Sequence, residues 1–309
     1  MEVAVGTLLQ QIANGLIFGG LIAMVALGYT MVYGIIQLIN FAHGEVFMTG
    51  AFGGLFTYTY ILPAAAQQIW YVALPAMLVG GMITSLVIAL LMERFAYRPL
   101  RNAPRLAPLI TALGVSVLLQ EVVRIWYPGA TSAIPFPSLL DSVPLHLGPI
   151  TLKPSGLLML VVSLVLTVVL QTYVSRSRMG RAMRATAQDP DTARLMGINP
   201  DRVIVLTFAI GAVLAGVGGV LYGSYINAVD NLIGFQNGLF AFAAAVLGGI
   251  GSIRGAVIGA FIIGLIKNLA DIYLPGGTAY DYVWIFILLI AVLVFRPQGL
   301  FGEAERVRA

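Results

Sequence analysis

Three polar side chains crowd into LINFAHGEVFMTGAFGG (38–54): Asn40, His43 and Glu45, with apolar runs on both sides. An imidazole and a carboxylate this close in sequence could relay a proton or share a metal ion. Their i, i+2 spacing, however, puts them on different faces of a helix. The second histidine, His146, lies in a distant proline-rich stretch, so no metal site is expected. Two readings remain. The preferred one is a helix start at a break, with Asn40 and His43 hydrogen-bonding backbone groups. The sharper one makes Asn40, His43 and Glu45, together with Asn227, the polar lining of a translocation path, because ionisable groups among apolar spans are costly and usually functional.

The other polar residues within apolar runs are sparse. Glu121 and Arg124 (i, i+3) and Lys267 and Asp271 (i, i+4) have the spacing of ion pairs on one helix face. Asn227, Asp230, Asn231 and Gln236 gather around a turn, where they could meet a substrate or a binding protein. Nothing has the spacing of a nucleophile and its base, so no catalytic residue and no enzyme is expected. Cysteine is absent, which removes disulfides and thiolate metal sites. No GxxxxGK[ST] phosphate loop occurs, so ATP hydrolysis would have to occur on another chain.

A second constellation is mechanical. SRSRMGRAMRATAQDPDTARLMGINPDR (175–202) holds Arg176, Arg178, Arg181, Arg184, Arg194 and Arg202 in an otherwise almost uncharged chain. Within it, Asp189 can cap a helix that has Pro190 at its first position and Asp191 near the positive dipole end. Gly197 can close that helix as a left-handed cap, and Asn199–Pro200 repeat the cap–proline start for the next helix. The helix between is about two turns long and places Thr192, Leu195 and Met196 on one face. So short a helix is marginal alone and would be stabilised by a partner surface. The alternative is an amphipathic connector resting on lipid headgroups.

These features must be held by membrane-spanning helices. The chain is 59% hydrophobic and 10% charged over 309 residues, with mean hydropathy +0.94, against roughly 25% charged in soluble domains. Net charge is +4, but the basic residues sit at the ends of apolar runs, which is topology and not a nucleic-acid-binding stripe. The start, MEVAVGTLLQQIANG, lacks a basic leader region and a cleavage site and reads as the lead-in to a retained span.

Apolar stretches at about 8–36, 44–62, 69–92, 108–126, 155–174, 203–225, 236–250, 254–271 and 281–295 predict eight or nine crossings in a single domain over 1–309. The long first stretch, with Gly15, Gly19, Gly20, Gly28 and Gly34, is expected to be tilted or broken. The pair at 236–271 is expected to be half-length or re-entrant. Arginines at 94, 98, 101 and 105, the six-arginine segment, and Arg296, Arg306 and Arg308 predict a cytoplasmic location for 93–107, 175–202 and the C-terminus. The stretch 127–154 is then outside, as is the N-terminus if 8–36 crosses once. The fold class is thus an all-α polytopic bundle, some helices short or broken, with a short cytoplasmic helix.

Three segments, LGYTMVYGIIQLINFAHGEVFMTG, SRMGRAMRATAQDPDTARLMGINPDRVIVLTFAIGA and AVLGGIGSIRGAVIGA, with ERFAYRPLR and RPQGLFG in register, resemble the inner-membrane permeases of ABC importers for branched-chain amino acids. The likeness is greatest to the shorter of the two permeases in that system and runs essentially end to end. Related permeases for urea and short amides are also similar, and that substrate class stays open, as does a secondary transporter or channel. The resemblance implies a bacterial inner-membrane, multi-pass subunit paired with a second homologous permease. Two cytoplasmic ATPases would drive it, with ATP and magnesium on those subunits and no cofactor here, and a periplasmic binding protein would deliver the substrate. It also implies that 186–199 is the coupling helix seated on an ATPase, with Asp189, Asp191, Ala193, Arg194, Met196, Gly197 and Ile198 at the motif positions. Leu195 joins them from its place on the apolar face. Arg254 stands in a glycine-rich turn where that family commonly has proline.

Overall fold

The computed structural model describes every residue except 1, 39, 102, 105, 142 and 303–309, with 2–4 described as backbone only. Arg105, Arg306 and Arg308 therefore lie outside the described residues. The chain forms α1 (Glu2–Ile36), α2 (His43–Phe56), α3 (Ala64–Gln67), α4 (Trp70–Met92), α5 (Leu106–Trp126), α6 (Pro154–Arg176), α7 (Arg178–Gln188), α8 (Pro190–Leu195), α9 (Pro200–Ile226), α10 (Ile233–Gly248), α11 (Ile253–Tyr273) and α12 (Asp281–Phe295). Four short strands, β1 (Ile134–Pro135), β2 (Leu145–Leu147), β3 (Ile150–Leu152) and β4 (Ala228–Val229), make two small ribbons, β1 with β4 and β2 with β3. This is an all-α membrane bundle.

Seven helical segments among the described residues are long and apolar enough to cross a bilayer: 5–36, 70–100, 106–126, 154–176, 200–226, 253–273 and 277–295. The shorter α2 and α10 complete the set. Helix α2 is buried from His43 to Leu55. The helix runs on without a break as π-helix over Thr57–Ile61, so the helical segment spans 43–61, and protein surrounds its first 13 residues.

Two expectations are corrected. Helix α1 is continuous over 35 residues, neither broken nor interrupted by its glycines. Gly15 and Gly19 face the backbone of Leu265 and Phe261 on α11, so they serve close helix approach, the usual role of small residues in membrane bundles. Helix α11 is full-length at 21 residues; only α10, with 16, is short.

The helices align two ends. One holds the arginine-rich segments and is called the basic end. There the polar caps are side chains: Ser177 accepts from Gly180 N at 2.8 Å, Asn199 from Arg202 N at 3.2 Å, and Ser252 from Gly255 N at 3.1 Å. These satisfy amides that have no partner within their own helices. The RPQGLFG tail has a structural task at the same end. Leu300 N and Phe301 N donate to the carbonyls of Leu247 and Gly248 at 2.9 and 3.0 Å, closing α10. Arg254 occupies the first turn of α11, where proline is equally tolerated. The turn itself is made by Gly249 and Gly251 at φ +103° and +95°.

One part of the core is a three-helix contact of α2, α4 and α9. Gly50, Gly81 and Gly216 meet there: a Cβ on Gly216 would stand 2.7 Å from the Gly81 carbonyl oxygen and 2.9 Å from Met82 Cα. Helices α1 and α9 are mostly covered by protein, whereas α6 and α12 are mostly uncovered.

Candidate functional site

The short helix α8 is capped at both ends. Asp189 accepts from the amides of Asp191 and Thr192 at 2.9 and 3.2 Å, and from the Thr192 hydroxyl at 2.5 Å. At the far end Ile198 N donates to Ala193 O and Gly197 N to Arg194 O, both at 3.0 Å. With Gly197 at φ +80°, this is the paired-bond closure that requires a left-handed residue. Arg194 pairs with Asp191 at 2.9 Å across one turn.

Burial divides the residues read from the sequence. Ala193 is 3% exposed and anchors α8 to the bundle, and Ile198 is half-buried against the core. Leu195 and Met196 are 87% and 78% exposed and point away, with Thr192 and Asp191 exposed beside them. Two large apolar side chains thus project from a rigidly capped helix at the basic end.

A brace behind α8 was not legible in the sequence. Arg98 binds the buried carboxylate of Glu93 through two nitrogens, at 2.9 and 3.1 Å. Arg101 bridges Glu93 to Asp201, which lies in the first turn of α9. Its signal was only the density of arginines at 94–105. Arg101 and Asp201 are 100 residues apart, so spacing could not pair them.

The residues read as a translocation lining fall into two places. Asn40, His43 and Glu45 lie together in the bundle; Asn227 is at the opposite end, closing α9 at φ +62°. The expected side-chain caps do not form. Asn40 Oδ1 accepts from the Tyr97 hydroxyl at 2.7 Å, and α2 starts with no side-chain cap bond. The His43 ring instead meets the Tyr29 ring edge-on at 5.2 Å, in space left by Gly28. Because Tyr29 lies about two turns before the end of α1, the chain must turn back into the bundle over 37–42, with Gln37 at φ +52°.

Glu45 Oε1 accepts from Ser116 Oγ and Gln120 Nε2 of α5 at 2.9 and 2.8 Å. Glu45 Oε2 and His43 Nε2 are buried with no hydrogen-bond partner. The Glu121–Arg124 and Lys267–Asp271 pairs form as spaced. Lys267 has a second partner, Asp281 at 3.0 Å, which spacing did not reveal. Asp230 caps the turn into α10 by accepting from Leu232 N at 2.7 Å, and Asn231 N donates to Ala130 O at 2.9 Å.

Comparison with known proteins gives this geometry a family. The chain is 42% identical over 300 residues to the high-affinity branched-chain amino acid transport system permease protein BraD of Pseudomonas aeruginosa, covering 96% of each chain. It is 42% identical over 301 residues to the corresponding protein LivH of Escherichia coli K12, again with 96% of each covered. In fold it is similar to a solved structure described as an inward-facing conformation of a putative metal-chelate type ABC transporter. That match has a TM-score of 0.51 at 18% identity and covers 93% of this chain and 87% of the other. The sequence profile of the family described as branched-chain amino acid transport system / permease component matches residues 11–293, and the chain belongs to that family.

Proposed function

We propose that the chain is a transmembrane permease subunit of an ATP-driven importer for branched-chain amino acids in a bacterial inner membrane. It forms the translocation path with a second, homologous permease, and a periplasmic binding protein delivers the amino acid. Two cytoplasmic ATPases supply the work through α8. The observation that carries this reading is the exposure of Leu195 and Met196 on a helix locked at both ends and braced to the bundle. Fully burying a Leu or Met side chain is worth about 1.5–3 kcal/mol, and among the described residues no contact collects that energy. The relatives' names support the substrate class.

The test is reconstitution. The chain expressed with its partner subunits is expected to copurify with two ATPases and to import leucine, isoleucine and valine only with ATP inside the proteoliposome's equivalent of the cytoplasm. Uptake by this chain alone, independent of ATP, would make it a secondary transporter or channel; import of urea or acetamide instead would reassign the substrate.

Orientation has its own check. The basic end faces the cytoplasm, because arginine-rich loops are retained inside. Gln188 is exposed at the end of α7, just before α8, and no native cysteine competes for label. A Gln188→Cys variant in intact spheroplasts is expected to resist an impermeant maleimide and to react only after lysis. Labelling before lysis would invert the topology.

The polar path is assigned to Asn40, His43, Glu45 and Asn227, since a zwitterion passing through a dry apolar bundle would leave its charges unpaired. Asn40→Leu also removes the acceptor of the buried Tyr97 hydroxyl, a loss of about 1–3 kcal/mol. Leucine uptake is expected to fall in Asn40→Leu and in Asn227→Leu while the complex still assembles. Wild-type uptake in both would remove these residues from the path.

A further inference from the structure

The end opposite the arginines contains a cavity of about 440 Å³, within the range of about 300–1,000 Å³ in which small-molecule sites fall. It lies between α1, α9, α10, α11 and α12, beside the outer end of α9 and the turn that carries Thr278. Its wall has two chemistries. One side is aromatic: Phe240 and Tyr282 stack at 4.6 Å with their planes 9° apart, and Phe18 meets Phe240 edge-on at 5.9 Å. The other side is ionic. Lys267 Nζ lies 3.0 Å from Asp281 Oδ2 and 3.1 Å from Asp271 Oδ2, and 5.3 Å from the centre of the Phe18 ring.

Charge does not balance in this cluster, since one ammonium faces two carboxylates. The Asp281 side chain is 9% exposed; its second oxygen, Oδ1, and Asp271 Oδ1 are buried with no donor, and the two carboxylates lie within hydrogen-bonding reach of each other. A buried carboxylate oxygen without a donor is costly. What fits it is a group that brings positive charge and N–H donors together. A primary ammonium does both.

The neighbouring aromatic wall suits an apolar side chain, and Lys267 is the cation lining the cavity. We propose that this cavity is a binding site within the permease for a free α-amino acid with an apolar side chain. Its ammonium binds the Asp281 carboxylate where that side chain lines the cavity, its carboxylate shares Lys267, and its side chain lies against Phe18, Phe240 and Tyr282. The proposal rests on the import reading above and deepens it by placing the substrate at a named pair of side chains.

The test uses the assembled importer, with no binding protein present, and a single-cysteine variant, Thr278→Cys, at the cavity wall. Maleimide labelling of that cysteine is followed with L-leucine, with 4-methylpentanoate, which lacks the ammonium, and with 3-methylbutylamine, which lacks the carboxylate. Leucine is expected to slow labelling, 4-methylpentanoate to have no effect, and the amine to act weakly. Asp281→Asn keeps the size of the side chain and removes its charge. In that background the unliganded labelling rate is expected to stay the same, while the leucine concentration giving half protection rises about tenfold or more, the effect of losing one charge-assisted hydrogen bond.

Equal protection by leucine and 4-methylpentanoate, or unchanged protection in Asp281→Asn, would overturn the site. So would a complex that imports leucine with no protection of Thr278→Cys at any concentration; the cluster is then an ion network closed by a proton shared between Asp271 and Asp281. A wild-type complex that imports urea or acetamide but not leucine overturns the import reading itself, and the two failures are told apart by uptake.

Discussion

Leu195→Asp and Gly197→Val are expected to leave a folded, inserted permease that no longer retains its ATPase subunits or couples hydrolysis to uptake. The two substitutions act by different routes. Leu195 is 87% exposed, so aspartate there costs this chain little by itself. It places a charge where a partner groove has to be apolar, and one central anchor can carry much of a small interface. Gly197 sits at φ +80° with open space where a Cβ would project. The cost of valine is therefore entirely backbone, because a β-branched residue is an outlier in the left-handed region. Losing that conformation opens the two bonds that close α8 at Ala193 and Arg194. Asparagine tolerates the same conformation, so Gly197→Asn is expected to retain most function. The measurements are ATPase copurification and leucine-stimulated hydrolysis, with docking of the binding protein at the opposite end as the control. Full copurification and wild-type transport in both variants would leave α8 a connector.

The second large effect is on the fold. Gly216→Leu is expected to abolish recovery of monodisperse protein, whereas Gly114→Leu, on an exposed side of α5 with nothing near its would-be Cβ, is expected to be recovered at near wild-type yield. At Gly216 the obstacles are the backbone of Gly81 and Met82 on α4, which no rotamer change can move aside. Overpacking a core costs about 1–3 kcal/mol where side chains can adjust, and more is expected where helix axes must separate. Size-exclusion profile and thermal unfolding in detergent distinguish the two variants. A Gly216→Leu protein as stable as wild type would mean that the α2–α4–α9 contact is looser than its geometry implies.

What was legible in the sequence was whatever is encoded locally. Apolar runs located the nine principal helices, because a bilayer imposes length and composition on each one separately. The caps of α8 were legible for the same reason: Asp189, Pro190 and Gly197 act within one or two turns. The misreadings had non-local causes. The glycines of α1 suggested a break, but they are contact points for α11, a partner more than two hundred residues further along the chain. Asn40 suggested a cap, but its acceptor is used by Tyr97. The ionic cavity could not be seen at all. Lys267 and Asp271 are one helical turn apart and readable, whereas Asp281 comes from the next helix, and only the fold brings its carboxylate to the same ammonium.

The cap of Asn199 on α9 has a mechanical corollary. A short link, 196–199, joins α8 to Pro200, and α9 then runs unbroken for 27 residues, about 40 Å at a rise of about 1.5 Å per residue. A rigid rod of that length multiplies small rotations: tilting it by about 5° around Pro200 carries its far end through about 3.5 Å. That far end holds Tyr222, Tyr225 and Ile226, which are part of the cavity wall. Arg101 ties the pivot to α4 through Glu93 and Asp201, so the rod has a fulcrum as well as a handle. A displacement of a fraction of an ångström at α8 therefore reaches the opposite side of the membrane enlarged to the dimension of a side chain, with no hinge within the helix.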